Sequence, residues 1–284
     1  MFTLHEIINL LATKLGRNYQ RYFQDVLVLV SFFSKKNISL NEIVVNRDQK
    51  IHINIKLLLK ALSKLVRGVP VCRITGYSYW NNLRVIVNKR VFIPRVETFA
   101  LVEVAKKVIF KYGLSESIFL DLCCGTGCIS LAVKKQFQKI NCLLSDISWA
   151  ALANAKQNAS LYGFNFFYLR SNCLRGIIKR KICVDVIVTN PPYLDRSKNN
   201  KLLNKYDPQK ALYAKKHGDY FYEKFFQQLP LLAKLPKAII LEIDSEKRKT
   251  IIQLFNRYCL PYKVDFFLDC YDVPRVILLS HFGN

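Results

Sequence analysis

The sequence predicts an α/β fold in which a parallel sheet is covered by helices on both faces and is preceded by a smaller helical domain. Two patterns lead to this class. From Pro94 onward, short apolar runs alternate with stretches in which apolar residues recur every three or four positions. Residues 1 to about 70 show mainly the spacing of apolar residues every three or four positions, which is typical of helices. Regular alternation of strands and helices is typical of a parallel sheet, because the connecting helices cover its faces.

In the N-terminal part, two helices are predicted from apolar residues that share one face. They span residues 5–15 and 56–67, and Gly68 and Pro70 end the second. The residues predicted to face inward are Ile8, Leu11, Leu15, Leu58, Leu62 and Leu65. Residues 26–33 are almost entirely apolar and fit a strand or a helix by pattern alone.

A β-hairpin is predicted next, because two strand-like runs, 77–80 and 84–87, flank Asn81 and Asn82. We place the boundary between two domains there. The predicted division is a helical domain over residues 1–72, a hairpin linker over 73–93 and an α/β domain over 94–284.

The α/β domain is predicted to contain seven strands and the helices between them. The first helix follows Pro94 and places Leu101, Val104, Ala105 and Val108 on one face. Strands are predicted at residues 118–122, 140–145, 166–169, 184–189, 238–243, 264–268 and 276–280. Further helices are predicted from Cys128 and over residues 148–162, 220–233 and 246–258. We expect a polar loop at residues 198–201.

Length and composition indicate a folded protein with a full core. The chain has 284 residues, of which 51% are hydrophobic. No apolar run approaches the roughly 20 residues that a membrane helix needs. The first residues show no basic segment followed by an apolar one, so we expect a cytoplasmic protein without membrane contact.

The charge is strongly positive, with 44 Lys and Arg against 20 Asp and Glu, a net charge of +24. Such an excess favours binding of polyanions. The basic residues are scattered along the chain, however, and short charged clusters are usually solvated surface. Direct nucleic-acid binding is therefore not required by the sequence, although the charge would steer the protein toward acidic partners.

Nine cysteines are present, and none lies in paired spacing with matching cysteine or histidine ligands. We therefore expect reduced, buried thiols and no metal site.

A strand, a glycine-rich turn and an apolar helix are predicted in succession over residues 119–131. Gly125 and Gly127 let the backbone approach a ligand closely, and the helix start favours a negative group. Ser130 stands where the dinucleotide fingerprint needs a third glycine, which argues against NAD. The candidate ligand-binding residues are Asp121, Cys123, Cys124, Gly125, Thr126 and Gly127.

Asp146 ends the next apolar run. An acidic side chain at the end of this strand would accept hydrogen bonds from both ribose hydroxyls of a nucleoside. The alternative is that Asp146 caps the following helix. Because Ser148 is available for capping, we favour the ligand role.

The most informative motif is Asn190-Pro191-Pro192-Tyr193, which directly follows a predicted strand and which we call the elbow. Two prolines fix two φ angles and remove two N–H donors, so the carbonyl oxygens of Asn190 and Pro191 face outward as acceptors. The Asn190 side chain adds a third acceptor. Paired acceptors can hold a planar –NH2 group with its lone pair out of the plane, and Tyr193 supplies a face for stacking. The alternative is a simple tight turn.

These three motifs, in this order, resemble those of Rossmann-like S-adenosylmethionine-dependent methyltransferases. Four flanking segments narrow the resemblance to the HemK/PrmC family of protein-(glutamine-N) methyltransferases, and it runs from about residue 20 to the C-terminus. They are Arg67-Gly68-Val69-Pro70, Ile74-Thr75-Gly76, Phe92-Ile93-Pro94-Arg95-Val96-Glu97-Thr98 and Tyr206-Asp207-Pro208-Gln209-Lys210-Ala211-Leu212.

The resemblance implies methyl transfer from S-adenosyl-L-methionine to the glutamine of the Gly-Gly-Gln motif in class 1 peptide chain release factors. It implies catalytic roles for Asn190, Pro191 and Tyr193, and substrate contacts from these residues together with Pro192 and Arg95. It implies that Asn172 and Cys173 bind the cofactor, together with the residues of the glycine-rich turn, Asp146 and Asn190. It also implies a helix at residues 26–33, a helical N-terminal domain that helps hold the protein substrate, and a sheet whose final strand is reversed. We expect a monomer.

Four positions depart from the family pattern. Cys123 and Cys124 replace a glycine and a threonine, Asn172 stands where an acidic residue commonly meets the adenine amino group, and Asp244 stands where glycine is frequent. Since both nearby glycines remain and an amide oxygen still accepts a hydrogen bond, we expect cofactor binding to survive.

Three other functions use the same motifs. An amino-group methyltransferase for adenine in DNA or RNA would share the elbow, but it would have to unstack a base and grip phosphates. A methyltransferase for a glutamine of a large-subunit ribosomal protein resembles the chain less well around residues 95–98. A non-catalytic binding module is disfavoured by the intact Asn190.

Overall fold

The computed structural model describes residues 1–35, 38–195, 197 and 205–281. The chain divides into two compact units, Met1–Tyr77 and Ser78–Asn284. The polar loop expected at residues 198–201 lies outside the described residues. Within the described part of the chain, no helix is both long and apolar enough to cross a membrane.

The first unit is built from helices around its own apolar core. Its helices are α1 (Leu4–Leu15), α2 (Tyr19–Phe33), α3 (Leu40–Val45), α4 (Ile55–Val66) and α5 (Val71–Thr75), and its short antiparallel strands are β1 (Phe2–Thr3) and β2 (Lys50–Ile51). The ambiguous segment 26–33 is therefore helical. The inward face of α4 is as predicted, whereas in α1 Ile7 is fully buried and Ile8 only partly, because the buried stripe begins at Leu4.

The predicted hairpin is confirmed. Strands β3 (Tyr77–Trp80) and β4 (Leu83–Ile86) are joined by Asn81 and Asn82, whose φ angles are 49° and 55°. Asparagine tolerates this left-handed conformation, and two such residues give the turn that matches the twist of paired strands.

The second unit contains a seven-stranded sheet in the order β10-β11-β9-β8-β5-β6-β7. Its strands are β5 (Ile118–Leu122), β6 (Asn141–Asp146), β7 (Phe167–Arg170), β8 (Val186–Thr189), β9 (Ala238–Glu242), β10 (Lys263–Leu268) and β11 (Pro274–Ser280). β11 pairs antiparallel with both β10 and β9, whereas the other neighbouring strands of this sheet pair in parallel. The predicted fold class, including seven strands and a reversed final strand, is confirmed.

The helices of this unit are α6 (Phe99–Lys111), α7 (Cys128–Gln136), α8 (Trp149–Leu161), α9 (Arg175–Lys179), α10 (Gln209–Leu212), α11 (Tyr220–Gln228) and α12 (Arg248–Asn256). Helix α11 ends before residue 233 because a 3-10 turn containing Pro230 follows it. Helix α12 starts after a separate 3-10 turn, Ser245–Lys247. The five-residue α9 is too short to show a period in the sequence.

Burial of the cysteines is only partly as expected. Cys72, Cys124, Cys128, Cys142 and Cys173 are buried and Cys123 is half-buried, whereas Cys183, Cys259 and Cys270 are exposed.

Helix α8 closes the open edge of β4 with side chains spaced four residues apart. Tyr162 Oη accepts from the Arg84 N–H (2.7 Å) and Asn158 Oδ1 from the Ile86 N–H (2.7 Å). Asn154 Oδ1 accepts from the Asn88 N–H (2.9 Å). Four residues span about 6 Å along a helix, and two residues span about 6.6 Å along a strand. The α8 side chains therefore stay opposite every second residue of the strand.

Asn158 also joins this edge to the glycine-rich turn. Its Nδ2 donates to Ile86 O and to Thr126 O, both at 3.0 Å, and its side chain is fully buried.

Replacing Asn158 by Ala would leave buried polar groups without partners. We expect the free energy of unfolding to fall by about 1–3 kcal/mol, measured by urea denaturation.

The matched control for Asn158→Ala is Lys156→Ala, since Lys156 is exposed on the same helix. It should change the free energy of unfolding by less than about 0.5 kcal/mol. Equal effects of the two substitutions would contradict the proposed role of Asn158 in stability.

Asp121 ties β5 to the start of α7 through one buried carboxylate oxygen. Its Oδ2 accepts from the Ser130 N–H (3.2 Å) and the Ser130 hydroxyl (2.8 Å). Burial raises the pKa of Asp121 to about 7, against the opposing effect of these hydrogen bonds. Its Oδ1 is buried without a hydrogen-bond partner among the described residues.

This raised pKa predicts a pH-dependent stability. Folding favours the protonated form of Asp121, so its contribution is fully present below about pH 4 and is lost as the pH rises through about 7. The wild type should lose unfolding free energy relative to Asp121→Asn across this window. Urea denaturation of both proteins at several pH values measures this difference. Parallel pH curves for the two would show that Asp121 is ionised in the folded protein.

Candidate active site

The candidate active site lies at the carboxyl ends of five adjacent parallel strands. In spatial order they are β9, β8, β5, β6 and β7. After β5 the chain continues to β6 and β7 on one side and later to β8 on the other, so the strand order reverses between β8 and β5. Ligands of open α/β sheets bind in the crevice outside such a reversal. The pairing of Leu122 with Thr189 brings the glycine-rich turn beside the elbow.

The two glycines of the turn have different surroundings. Gly127 precedes α7 with a φ of 76°, and a Cβ there would lie 3.1 Å from both Ala155 Cβ and Leu144 Cδ2. Gly125 has a φ of 54°, and a Cβ there would meet nothing within 4 Å. Gly127 is therefore needed for close packing of the turn on the protein, whereas the side of Gly125 is open to a ligand.

Both departures from the family pattern in this turn are neutral thiols. Cys123 adopts a left-handed φ of 61° and is half-buried, whereas Cys124 is buried. Burial, and then the nearby Asp146 carboxylate, raise the pKa of both thiols well above the usual range. Thr126 is buried as well, and its carbonyl oxygen is held by Asn158.

Asp146 ends β6 and faces the same turn. Its Oδ2 accepts from the Gly125 N–H (3.1 Å), and its Oδ1 accepts from the Ser148 N–H (2.8 Å). Ser148 caps α8 by accepting from the Ala151 N–H (3.4 Å), so Asp146 is not the cap. Burial raises the pKa of Asp146, and the backbone donors oppose that rise. Each oxygen keeps capacity for a further hydrogen bond.

Asn172 and Cys173 lie just beyond β7, at the end of this row of strands. Asn172 is exposed, and Cys173 is buried with a φ of 56°. The Ser171 hydroxyl donates to the carbonyl oxygen of Cys173 (2.7 Å) and accepts from the Gly176 N–H (2.7 Å), which fixes this loop. These contacts leave the Asn172 side chain directed to solvent or to a ligand.

In the elbow, Asn190 Nδ2 donates to Thr98 Oγ1 at 2.8 Å. Within the described residues, no main-chain N–H donates to the carbonyl oxygens of Asn190 or Pro191. Pro191 is buried and Pro192 is half-buried. Among the described residues, no hydrogen bond occupies any of the three candidate acceptors at the elbow, namely Asn190 Oδ1 and the two carbonyl oxygens.

Tyr193 has contacts beyond the elbow itself. Its hydroxyl donates to Glu242 Oε1 (3.0 Å), and its ring packs against the apolar core of the sheet. Glu242 ends β9 and is 3% exposed. Glu242 and Thr98 were not singled out as site residues from the sequence, although a charged residue that ends an apolar strand is a detectable signal.

Arg95 is held by a buried acid. Its guanidinium pairs with Asp207, and Asp207 Oδ1 also accepts from the Ile93 N–H (2.9 Å). The carbonyl oxygen of Arg95 accepts from Trp80 Nε1 (2.7 Å). The Arg95 side chain remains 34% exposed, so part of it is accessible to a partner. In the described part of the chain, no group of three or more His, Cys, Asp or Glu side chains is placed to hold a metal ion.

Comparisons with known proteins agree with the motifs. The model of the Methyltransferase small domain family, MTS, matches residues 101–207. A release factor glutamine methyltransferase of Mycoplasma mycoides subsp. mycoides is 28% identical over 273 residues, which cover 87% of this chain and 95% of that protein. An uncharacterised protein of Mycoplasma pneumoniae is 34% identical over 191 residues, and this match covers 67% of this chain but 40% of the longer relative.

Among solved structures, the hMettl16 catalytic domain in complex with a MAT2A 3'UTR hairpin matches with a TM-score of 0.57 at 13% identity. The match covers 95% of this chain and 97% of that one, and it concerns the fold alone. The chain is therefore similar over most of its length to a protein named release factor glutamine methyltransferase, and it has the Rossmann-like fold of S-adenosylmethionine-dependent methyltransferases.

Proposed function

We propose that the protein transfers a methyl group from S-adenosyl-L-methionine to the side-chain amide nitrogen of the glutamine in the Gly-Gly-Gln motif of class 1 peptide chain release factors. The observation that carries this proposal is the elbow. It presents Asn190 Oδ1 and the Pro191 carbonyl oxygen as acceptors beside an open glycine-rich turn. The names of relatives such as the Mycoplasma mycoides protein supply the substrate class.

The residues at the turn fit the cofactor. The open side of Gly125 leaves room for the ligand, and the two Asp146 oxygens can each accept a ribose hydroxyl in addition to their backbone donors. Asn172 and Cys173 would flank the adenine, while Gly127 and its neighbours in the turn support the rest of the molecule. When bound, S-adenosyl-L-methionine supplies an activated methyl group on a sulfonium sulfur.

The elbow would act on the amide by orientation. An amide nitrogen is a poor nucleophile because its lone pair is delocalised into the carbonyl group. Acceptors at Asn190 Oδ1 and Pro191 O would bind its two hydrogens and direct the lone pair out of the amide plane. Alignment of two reactants is worth roughly 7–11 kcal/mol of the barrier, so no strong base is required. Tyr193 and Pro192 would bound the same space, and Arg95 would meet the protein substrate with its exposed part.

A second candidate is methylation of the amino group of a base in RNA or DNA. The net charge of +24 favours this candidate, since a basic surface attracts polyanions. The elbow would offer the same acceptors to a base amino group. The substrate experiment below therefore includes RNA and DNA.

The first test concerns the cofactor. Asp146→Ala should weaken binding of S-adenosyl-L-methionine by about 1.5–3 kcal/mol, the worth of hydrogen bonds to a charged group. Isothermal titration calorimetry measures this change. Glu116→Ala serves as the control, because Glu116 is an exposed acid paired with Lys139. Equal affinities of the wild type and a folded Asp146→Ala protein would rule out the ribose contact.

The second test concerns the target amide. Asn190→Ala removes one acceptor from the elbow, so kcat and kcat/KM should fall together while cofactor affinity changes little. Single-turnover reactions with a purified release factor, followed by mass spectrometry of the modified residue, measure both. A release factor whose Gly-Gly-Gln glutamine is replaced by alanine is the matched substrate control, and RNA and DNA oligonucleotides are the alternative substrates.

Methylation confined to the Gly-Gly-Gln glutamine would support the proposal. Methylation that persists on the glutamine-free release factor would mean that another residue is the target. Transfer to the oligonucleotides instead would favour the second candidate, and an undiminished rate in Asn190→Ala would make the elbow a structural turn.

A further inference from the structure

Thr98 holds an unusual position for a threonine at the start of a helix. It is the residue before α6, where a threonine side chain ordinarily accepts a hydrogen bond from the first turn. Its hydroxyl makes no such capping bond, although the residue is only 3% exposed. Instead Thr98 Oγ1 accepts from Asn190 Nδ2 at 2.8 Å. The hydroxyl thus serves the elbow rather than the helix.

A threonine hydroxyl can donate and accept, so by itself it does not decide which end of the Asn190 amide faces it. The decision depends on where the hydroxyl hydrogen goes. Hydrogen bonding from Thr98 and from Tyr193 opposes the effect of burial on the pKa of Glu242. Tyr193 donates to Oε1. Oε2 is buried and makes no hydrogen bond within the described structure, so a hydrogen bond donated by the buried Thr98 hydroxyl would satisfy it.

In its ionised form the Glu242 carboxyl only accepts hydrogen bonds, and this form fixes the direction of the hydrogen bonds from Asn190 to Thr98 and from Thr98 to Glu242. If Thr98 donates to Glu242, its oxygen must accept from Asn190. The –NH2 end of the Asn190 amide then faces Thr98, and Oδ1 faces away from it. Tyr193, which donates to the same carboxylate, anchors the other end of the elbow.

We propose that Thr98 and Glu242 are positioning residues that fix the Asn190 side chain with its oxygen toward the amide to be methylated. This inference rests on the proposed function for its consequence in turnover, although the orientation itself is a property of the protein alone. Neither Thr98 nor Glu242 would contact the substrate. Glu242 acts through Thr98, and Thr98 acts through Asn190.

The test uses side chains of nearly unchanged shape. Thr98→Val removes the hydroxyl, whereas Thr98→Ser keeps it. Glu242→Gln keeps an acceptor at only one of the two oxygen positions and places an –NH2 donor at the other, so Thr98 and Tyr193 cannot both donate to it as proposed. Thr13→Val, at an exposed threonine of α1, controls for the substitution itself. Thermal denaturation and cofactor titration accompany each variant, so that misfolding is recognised.

The first readout does not depend on any substrate. In nuclear magnetic resonance spectra, the side-chain –NH2 signal of Asn190 is assigned by its loss in Asn190→Ala. Its hydrogens should exchange slowly with water in the wild type and in Thr98→Ser, and faster in Thr98→Val and Glu242→Gln. Unchanged exchange in the last two variants would overturn the inference whether or not the release factor is the substrate.

The second readout is turnover on the release factor. Thr98→Val and Glu242→Gln should lower kcat by about tenfold to a hundredfold, as expected for a misplaced reactant, with little change in cofactor affinity. Thr98→Ser should restore most of the rate. Full activity in Thr98→Val would overturn the inference while leaving the proposed function intact. A wild type that methylates no release factor would instead overturn the proposed function, and the exchange rates would still decide the orientation.

Discussion

The register between β8 and its two neighbours is the constraint on which the site depends. Thr189 pairs with Leu122 on one side and with Leu241 on the other, and all three are essentially inaccessible to solvent. A slip by one residue would turn every side chain of β8 to the opposite face and would shift the elbow relative to the glycine-rich turn. This register brings the glycine-rich turn, the elbow and Glu242 to the same level at one edge of the sheet.

Burial at this edge has a cost that the local hydrogen bonds offset only partly. Asp121 and Glu242 lie on the strands that flank β8, and burial raises the pKa of both to about 7. Each has one oxygen held by hydroxyl or amide donors and one oxygen without a standard partner among the described residues. Through these bonds Asp121 holds the start of α7 and Glu242 holds Tyr193.

Much of this arrangement could be predicted from the sequence, because period and motif are local signals. The strands at 118–122 and 238–243, the hairpin turn and the helix after Thr98 follow from short stretches of residues. What escaped prediction is long-range. The bond between Asn190 and Thr98 joins residues 92 positions apart, and those of Asn158 with Ile86 join residues 72 apart. In α1, Ile8 is predicted to face inward, whereas Ile7 is the buried residue. This error of one position arises because a short stripe of apolar residues does not fix which of two adjacent isoleucines is buried.

The side chains of α8 have a consequence for how the hairpin meets other chains. An edge strand with open N–H and C=O groups is a template for pairing with a foreign strand, and it promotes aggregation. On β4 these groups are occupied at alternate residues by Tyr162, Asn158 and Asn154. The helix therefore takes the place of a third strand, and the hairpin offers no free edge there for strand addition.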